Sequence, residues 1–171
     1  MKRSGLWLDN SEFTHRWELQ GHLGETEHEI YFDETSQRWF KRNNLTYHGT
    51  WLEYFHRLAL HNWLFPATGV IFEGILDNTG HLMPVISQQH VRASRGATRT
   101  HVASAVKRLG FEPVNDRTRA DDYINQLLGV EITDLHDENV LIGEGGLLYF
   151  IDPIPMMDES SKLERLQHLL D

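Results

Sequence analysis

The chain has 171 residues, a formal net charge of −9 and no cysteine. This length suits one ordinary domain or two small lobes, and the missing cysteine excludes disulfides and thiolate metal sites. The acidic balance argues against nucleic-acid binding by bulk electrostatics, while 40% apolar residues, with five Trp and eight Phe, support a packed core.

No apolar run reaches the roughly 18 residues of a membrane span. The opening residues 1–9 are basic at the start but carry no apolar stretch of the secretory type, so no signal segment is expected there. Together with the missing cysteine this fits a reducing cytosol. Residues 13–20 and 28–33 read as strands, with Gly21 and Gly24 in the turn between them. The polar 33–37 stretch reads as a hairpin loop into a third strand at 38–41. Residues 13–42 therefore predict a three-strand antiparallel meander.

A helix is expected over 50–63. Thr50 is its candidate N-cap, with Glu53 completing a capping box, and Pro66 is its stop. Trp51, Leu52, Phe55, Leu58 and Ala59 suggest its apolar stripe. Residues 70–76 and 81–86 predict two more strands around the Asp77-Asn78-Thr79-Gly80 turn. The first half thus reads as a five-stranded sheet with one helix, and 87–97 as the joint to the second half. There, 98–109 predicts an amphipathic helix stopped by Gly110, and 121–128 a short second helix. Strands are expected at 130–133, 140–142 and 147–151, the last two joined by the turn at 143–146. A terminal helix is expected from about 159 to 170.

The eleven histidines are scattered. His22/His28 and His56/His61 lack the i, i+4 spacing of a helical zinc site, so solvated or core roles are preferred. Basic residues cluster at Arg38/Lys41/Arg42, at Arg92/Arg95/Arg99 and at Lys107/Arg108, which leaves room for a local anion site.

The most informative stretch is 133–153. Asp134, Asn139 and Asp152 stand in order, the last two set against short apolar strands. A carboxylate that faces an acceptor hydroxyl, followed by an amide oxygen and a carboxylate that hold Mg²⁺, is the chemistry of phosphoryl transfer. Separately, Asp134 can cap a turn, Asn139 can be a left-handed turn residue, and Asp152 before Pro153 can end a strand. Their common order favours a site.

This order and spacing resemble the protein-kinase-like phosphotransferases. Asp134-Leu135-His136-Asp137-Glu138-Asn139-Val140-Leu141 is similar to the Asp-Leu-His-Pro-x-Asn-Val-Leu loop of aminoglycoside-phosphotransferase-like enzymes, and Tyr149-Phe150-Ile151-Asp152 to the strand before the Asp-Phe-Gly motif. The chain most resembles the minimal kinase-like domain of polyvalent proteins from phages and mobile elements, over about residues 20–156. The resemblance implies an α+β, two-lobed minimal protein-kinase-like fold. Residues 1–89 would be an N-lobe with the five-stranded antiparallel sheet, and 90–171 a truncated C-lobe.

It also implies ATP and Mg²⁺ as cofactors, with the nucleotide between the lobes. Asp134, Lys41 and Glu53 would be catalytic, Asn139 and Asp152 metal-binding. Lys41, Gly21, Gly24, Ser87 and Gln88, with Asn139 and Asp152, would bind the nucleotide, and Glu53 would ion-pair with Lys41. Glu53 is equally explained by its capping box and an i, i+4 pair with Arg57, Lys41 by an exposed strand position, and Gly21/Gly24 by a plain hairpin turn.

Three departures stand out. Ile132 replaces the histidine two before the catalytic Asp. Asp152-Pro153-Ile154 replaces Asp-Phe-Gly, and Pro153 argues against a flipping switch. Residues 153–171 leave no room for a long activation segment, and a partner protein that completes the C-lobe is an expectation of this reading. The acceptor would be a protein or small-molecule hydroxyl. An inactive pseudokinase acting as a nucleotide-binding or interaction module, a nucleotidyl transferase and a plain α+β scaffold are the alternatives.

Overall fold

The structure is a computed structural model that describes residues 5–8, 28–116 and 118–157. The expected strand at 13–20, Gly21 and Gly24, and the expected helix at 159–170 lie outside the described residues. The chain forms two compact units, Met1–Leu58 with Gly69–His90, and Ala59–Thr68 with Val91–Asp171.

In the first unit, β1 (His28–Asp33) and β2 (Arg38–Asn43) form an antiparallel hairpin. Its turn is set by the Asp33 carboxylate, which accepts from the Thr35 N–H at 3.2 Å and the Ser36 hydroxyl at 2.7 Å. Helix α1 (Trp51–Leu64) follows, its residues from Ala59 onward belonging to the second unit, then β3 (Val70–Asn78) and β4 (His81–Gln89). Thr79 and Gly80 take positive φ values of 52° and 90° between them. Such a turn matches the twist of a tight hairpin. The strands lie in the order β1-β2-β4-β3, all antiparallel, so four of the five expected strands fall within the described residues.

Two features of this unit were not foreseen. Residues 6–8 run along β3: Leu8 N–H donates to the Ile75 carbonyl at 3.0 Å, and Ile75 N–H to that of Leu6 at 2.7 Å. Gly74 permits this, since a Cβ there would stand 2.7 Å from the Leu6 carbonyl oxygen. The inward face of α1 is also centred differently, because Tyr54 is buried while Leu52 is 64% exposed.

In the second unit, β5 (Ala93–Gly96) leads into α2 (Arg99–Arg108). Short strands follow: β6 (Glu112–Pro113), β7 (Tyr123–Asn125), β8 (Val130–Thr133), β9 (Val140–Gly143), β10 (Leu148–Phe150) and β11 (Ile154–Met157). They make two sheets, ordered β10-β9-β5 and β11-β8-β7-β6. Thr98 caps α2, its hydroxyl accepting from the His101 N–H while the His101 ring accepts from the Thr98 N–H. Gly110, at φ 82°, ends the helix where a side chain would be strained. Val102, Val106, Phe111, Ile132, Leu135 and Val140 are almost fully buried around Phe65 and Phe150.

One expectation is corrected here. Residues 121–128 are a strand and a turn, not a helix. Tyr123–Asn125 pairs with β8, and the buried Asn125 side chain ties Leu109 to Leu128 through bonds of 3.2 and 3.0 Å. The chain passes from the first unit to the second at His90–Val91, inside the expected joint 87–97, whose flanks are strands: Ser87–Gln89 ends β4, and Ala93–Gly96 pairs with β9. Among the described residues no helix is long and apolar enough to cross a membrane.

Candidate functional site

The β9–β10 hairpin fixes two of the expected residues. Val140 pairs with Phe150, and Ile151 N–H donates to the Asn139 carbonyl at 2.8 Å. Asn139 therefore enters the hairpin on the rung where Ile151 leaves it, and Asp152 is the next residue out. Antiparallel pairing thus brings two oxygen-bearing side chains, distant in sequence, to one end of a two-strand ribbon.

Asp134 is joined to Asn139 by side-chain bonds. The Asn139 amide nitrogen donates to the Asp134 carboxylate Oδ2 at 2.7 Å and to its carbonyl at 3.0 Å. Both amide hydrogens are then used, and the Asn139 Oδ1 is left as the outward, acceptor end of the group. Asp134 has φ 65°, one of four positive-φ non-glycine residues among those described. Aspartate tolerates this region better than most residues but still at a cost of order 1 kcal/mol. The position is held from both sides. Leu135 is 1% exposed, and its N–H donates to the Asp121 carbonyl at 3.2 Å. The left-handed residue of this loop is thus Asp134 and not Asn139.

The remaining expected residues lie in the first unit. Lys41 is on β2, 6% exposed, between register partners Ile30 and Ile86. Glu53 sits in the first turn of α1, where its own N–H bonds the Thr50 hydroxyl at 3.1 Å. Its carboxylate accepts from the Gly49 N–H at 3.0 Å and pairs with Arg57 at 3.2 Å. The capping and i, i+4 partners are therefore both present at Glu53. Ser87 and Gln88 lie inside β4, hydrogen-bonded to β2 on one side and β3 on the other. The Ser87 hydroxyl accepts from Arg38 at 2.9 Å and donates to Glu73, and its carbonyl accepts from Arg38 at 3.1 Å. The polar groups expected to meet an adenine are thus built into the sheet.

A family model described as a Serine/Threonine/Tyrosine kinase found in polyvalent proteins matches residues 1–159. The chain belongs to this family. Neither the curated proteins nor the solved structures contain a match. The mixed architecture, with two helices and several antiparallel sheets among the described residues, is consistent with a small kinase-like domain.

Two contributors to this kinase-like loop were not singled out from the sequence. The first is His136. Its Nδ1 accepts from the Glu138 N–H at 3.3 Å, and the Asn139 amide nitrogen stands 3.1 Å from its Nε2. The same Nε2 lies 3.3 Å from Asp134 Oδ1. The carboxylate therefore has the Asn139 amide on one oxygen and the His136 ring beside the other. The second is Gly96, where a Cβ would stand 2.3 Å from the Asp137 carbonyl oxygen. Only glycine lets β5 pass this close behind the loop. The near-repeat Asp134-x-His136-x-x-Asn139 could have flagged the histidine; nothing local could have flagged the glycine.

The departures have physical readings. Ile132 is fully buried in β8, so the position is filled by core packing instead of a polar support. Pro153 is buried between Asp152 and β11, where it fixes the backbone direction after the carboxylate.

Proposed function

We propose that the chain is an ATP-dependent phosphotransferase that acts on a hydroxyl acceptor, with Asp134 as the residue that receives the acceptor's proton. The observation that carries this reading is the Asn139 amide bound to Asp134, with Asp152 on the adjoining rung. The donor set, one amide oxygen and one carboxylate, suits Mg²⁺, a hard cation that keeps waters and phosphate oxygens as its other ligands. Asn139 and Asp152 would hold the ion, which when bound supplies charge neutralisation along the phosphates.

The chain's own residues do the rest. Lys41, its ammonium carried by a rigid strand, would contact the α- and β-phosphates. Asp134 retains lone pairs beyond those used by Asn139 and His136. It would orient the acceptor oxygen and take its proton late, as charge spreads over the moving phosphoryl group. His136 and Asn139 hold that carboxylate in one orientation before substrate arrives, so no rearrangement is required in the transition state. Ser87 and Gln88 are not assigned a nucleotide contact, since the β-ladder already uses their backbones.

The test is ADP release from Mg-ATP in the presence of Ser/Thr/Tyr peptides and, separately, of polyhydroxylated small molecules. Acceptor-dependent release that Asp134→Asn abolishes supports the reading; release unchanged by that substitution refutes it. The mass added to a modified acceptor separates phosphoryl from nucleotidyl transfer. A second reading, a catalytically inactive nucleotide-binding or interaction module, is favoured by the engagement of Glu53 with Arg57 and Gly49. It requires Mg-ATP binding without transfer to any acceptor.

A further inference from the structure

The basic cluster of the second unit plays no part in the chemistry above. A cleft of about 710 Å³ lies along the outer side of α2, walled on the far side by β10 and the turn Pro66–Thr68. Thr100, Ser104 and Arg108 line it at i, i+4 and i+8, one face of the helix, while Val102 and Val106 of the same helix are buried in the core. Arg95 enters from β5. Its register partner is Ile142, which in turn pairs with Leu148, so Arg95, Ile142 and Leu148 form a row across one sheet face. All three line the cleft.

Charge is distributed selectively here. The chain has 25 acidic residues, yet none of the described ones lines this cleft. Elsewhere Arg42, Arg57, Arg99, Lys107 and Arg119 each face a carboxylate. Arg95 and Arg108 have no ion-pair or hydrogen-bond partner among the described residues. Unpaired guanidinium groups in an acidic protein favour carboxylates brought by a ligand.

The opposite wall is apolar and includes a strand edge. Phe65 stacks on Phe150 with ring centroids 4.4 Å apart, and Leu147 is 62% exposed. β10 is an edge strand. The Leu147 carbonyl accepts from the Gly143 N–H and the Ile151 N–H donates to Asn139, both across to β9. By alternation Leu148 turns its own N–H and C=O outward. An outward edge beside apolar contacts can add an extended peptide.

We infer that this cleft binds an extended acidic segment of a partner protein, with its carboxylates at Arg95 and Arg108 and its apolar side chains on the Leu147–Phe65 wall. This is independent of whether the carboxylate loop transfers phosphate. The probe is a fluorescein-labelled octapeptide of alternating Glu and Leu, titrated with the full chain by anisotropy. Arg95→Glu with Arg108→Glu weakens binding on the order of tenfold or more, two charge-assisted contacts being lost. Arg92→Glu with Lys107→Glu, which makes the same charge change outside the cleft, stays within about threefold of wild type, as expected of exposed pairs. The milder Arg95→Gln/Arg108→Gln pair gives the same direction should the glutamate variant fail to fold. Equal weakening by the control pair overturns the inference, as does equal binding of a Lys-Leu octapeptide. So does equal binding of a Glu-Ser octapeptide that millimolar phosphate displaces, which would reduce the cleft to an anion site.

Discussion

At Asp134 two requirements meet that neither sequence nor backbone alone explains. The residue carries a left-handed φ of 65° that a leucine or valine would resist, and its carboxylate has the Asn139 amide on one oxygen and the His136 ring beside the other. Asparagine at 134 keeps the shape and the tolerance of positive φ but cannot take a proton. Asp134→Asn is therefore expected to lower the transfer rate by about 10² to 10⁴ with Mg-ATP affinity within a few-fold of wild type. Rapid-quench transfer and calorimetric binding on the same sample check the two halves of this statement. His136→Ala removes the ring beside the carboxylate without removing the carboxylate itself. Its expected signature is a kcat reduced by about 10- to 100-fold with KM for Mg-ATP almost unchanged. His136→Gln, which still offers a donor, should recover part of it. A change in KM alone would assign the histidine a merely structural place.

At the scale of elements, the site depends on β5 running close behind the loop. Gly96→Ala puts a methyl group into the Asp137 carbonyl, at a distance no real Cβ adopts. The expected cost is about 1–3 kcal/mol in thermal or chemical unfolding, accompanied by lost transfer as the loop shifts. Full stability with lost activity would place the effect in loop geometry alone. Thr98→Ala tests a different element: it removes the N-cap of α2 and should cost about 1 kcal/mol with the carboxylate loop unaffected.

The same elements show where sequence reading succeeds and fails. The β1–β2 and β9–β10 hairpins, α1 and α2 were legible because their turns, caps and apolar spacing are local signals. β5 was not, since Ala93-Ser94-Arg95-Gly96 has no strand-forming bias and becomes a strand only through its partner β9. Residues 121–128 failed for the opposite reason. A three-residue strand is too short to show its alternation, and the buried Asn125 that fixes the following turn looks like any polar loop residue. The approach of Asn139 to the residues before Asp152 was legible because the spacing is that of a hairpin. The support from His136 and Gly96 is a matter of three-dimensional approach.

At the scale of the molecule, the proposed site residues lie on two separately packed units, Lys41 and Glu53 in one, Asp134, Asn139 and Asp152 in the other. Each unit has its own core, around Leu76 and Val85 in the first and around Val102, Phe111 and Ile132 in the second. On the proposed function, Mg-ATP should raise the unfolding temperature by mass action, by an amount that grows with ligand concentration. ATP with chelator should give a smaller shift, because without metal the phosphates meet the Asp152 carboxylate as like charges.

The most direct measurement is a calorimetric titration of ATP with and without Mg²⁺ on the wild-type chain and on Asp152→Ala. Metal-dependent binding in the wild type that the substitution removes is the expected result, and it would establish Asp152 as the residue that ties nucleotide to metal. Binding of equal strength in all four titrations, or none in any, would contradict a metal-nucleotide site built on the β9–β10 hairpin.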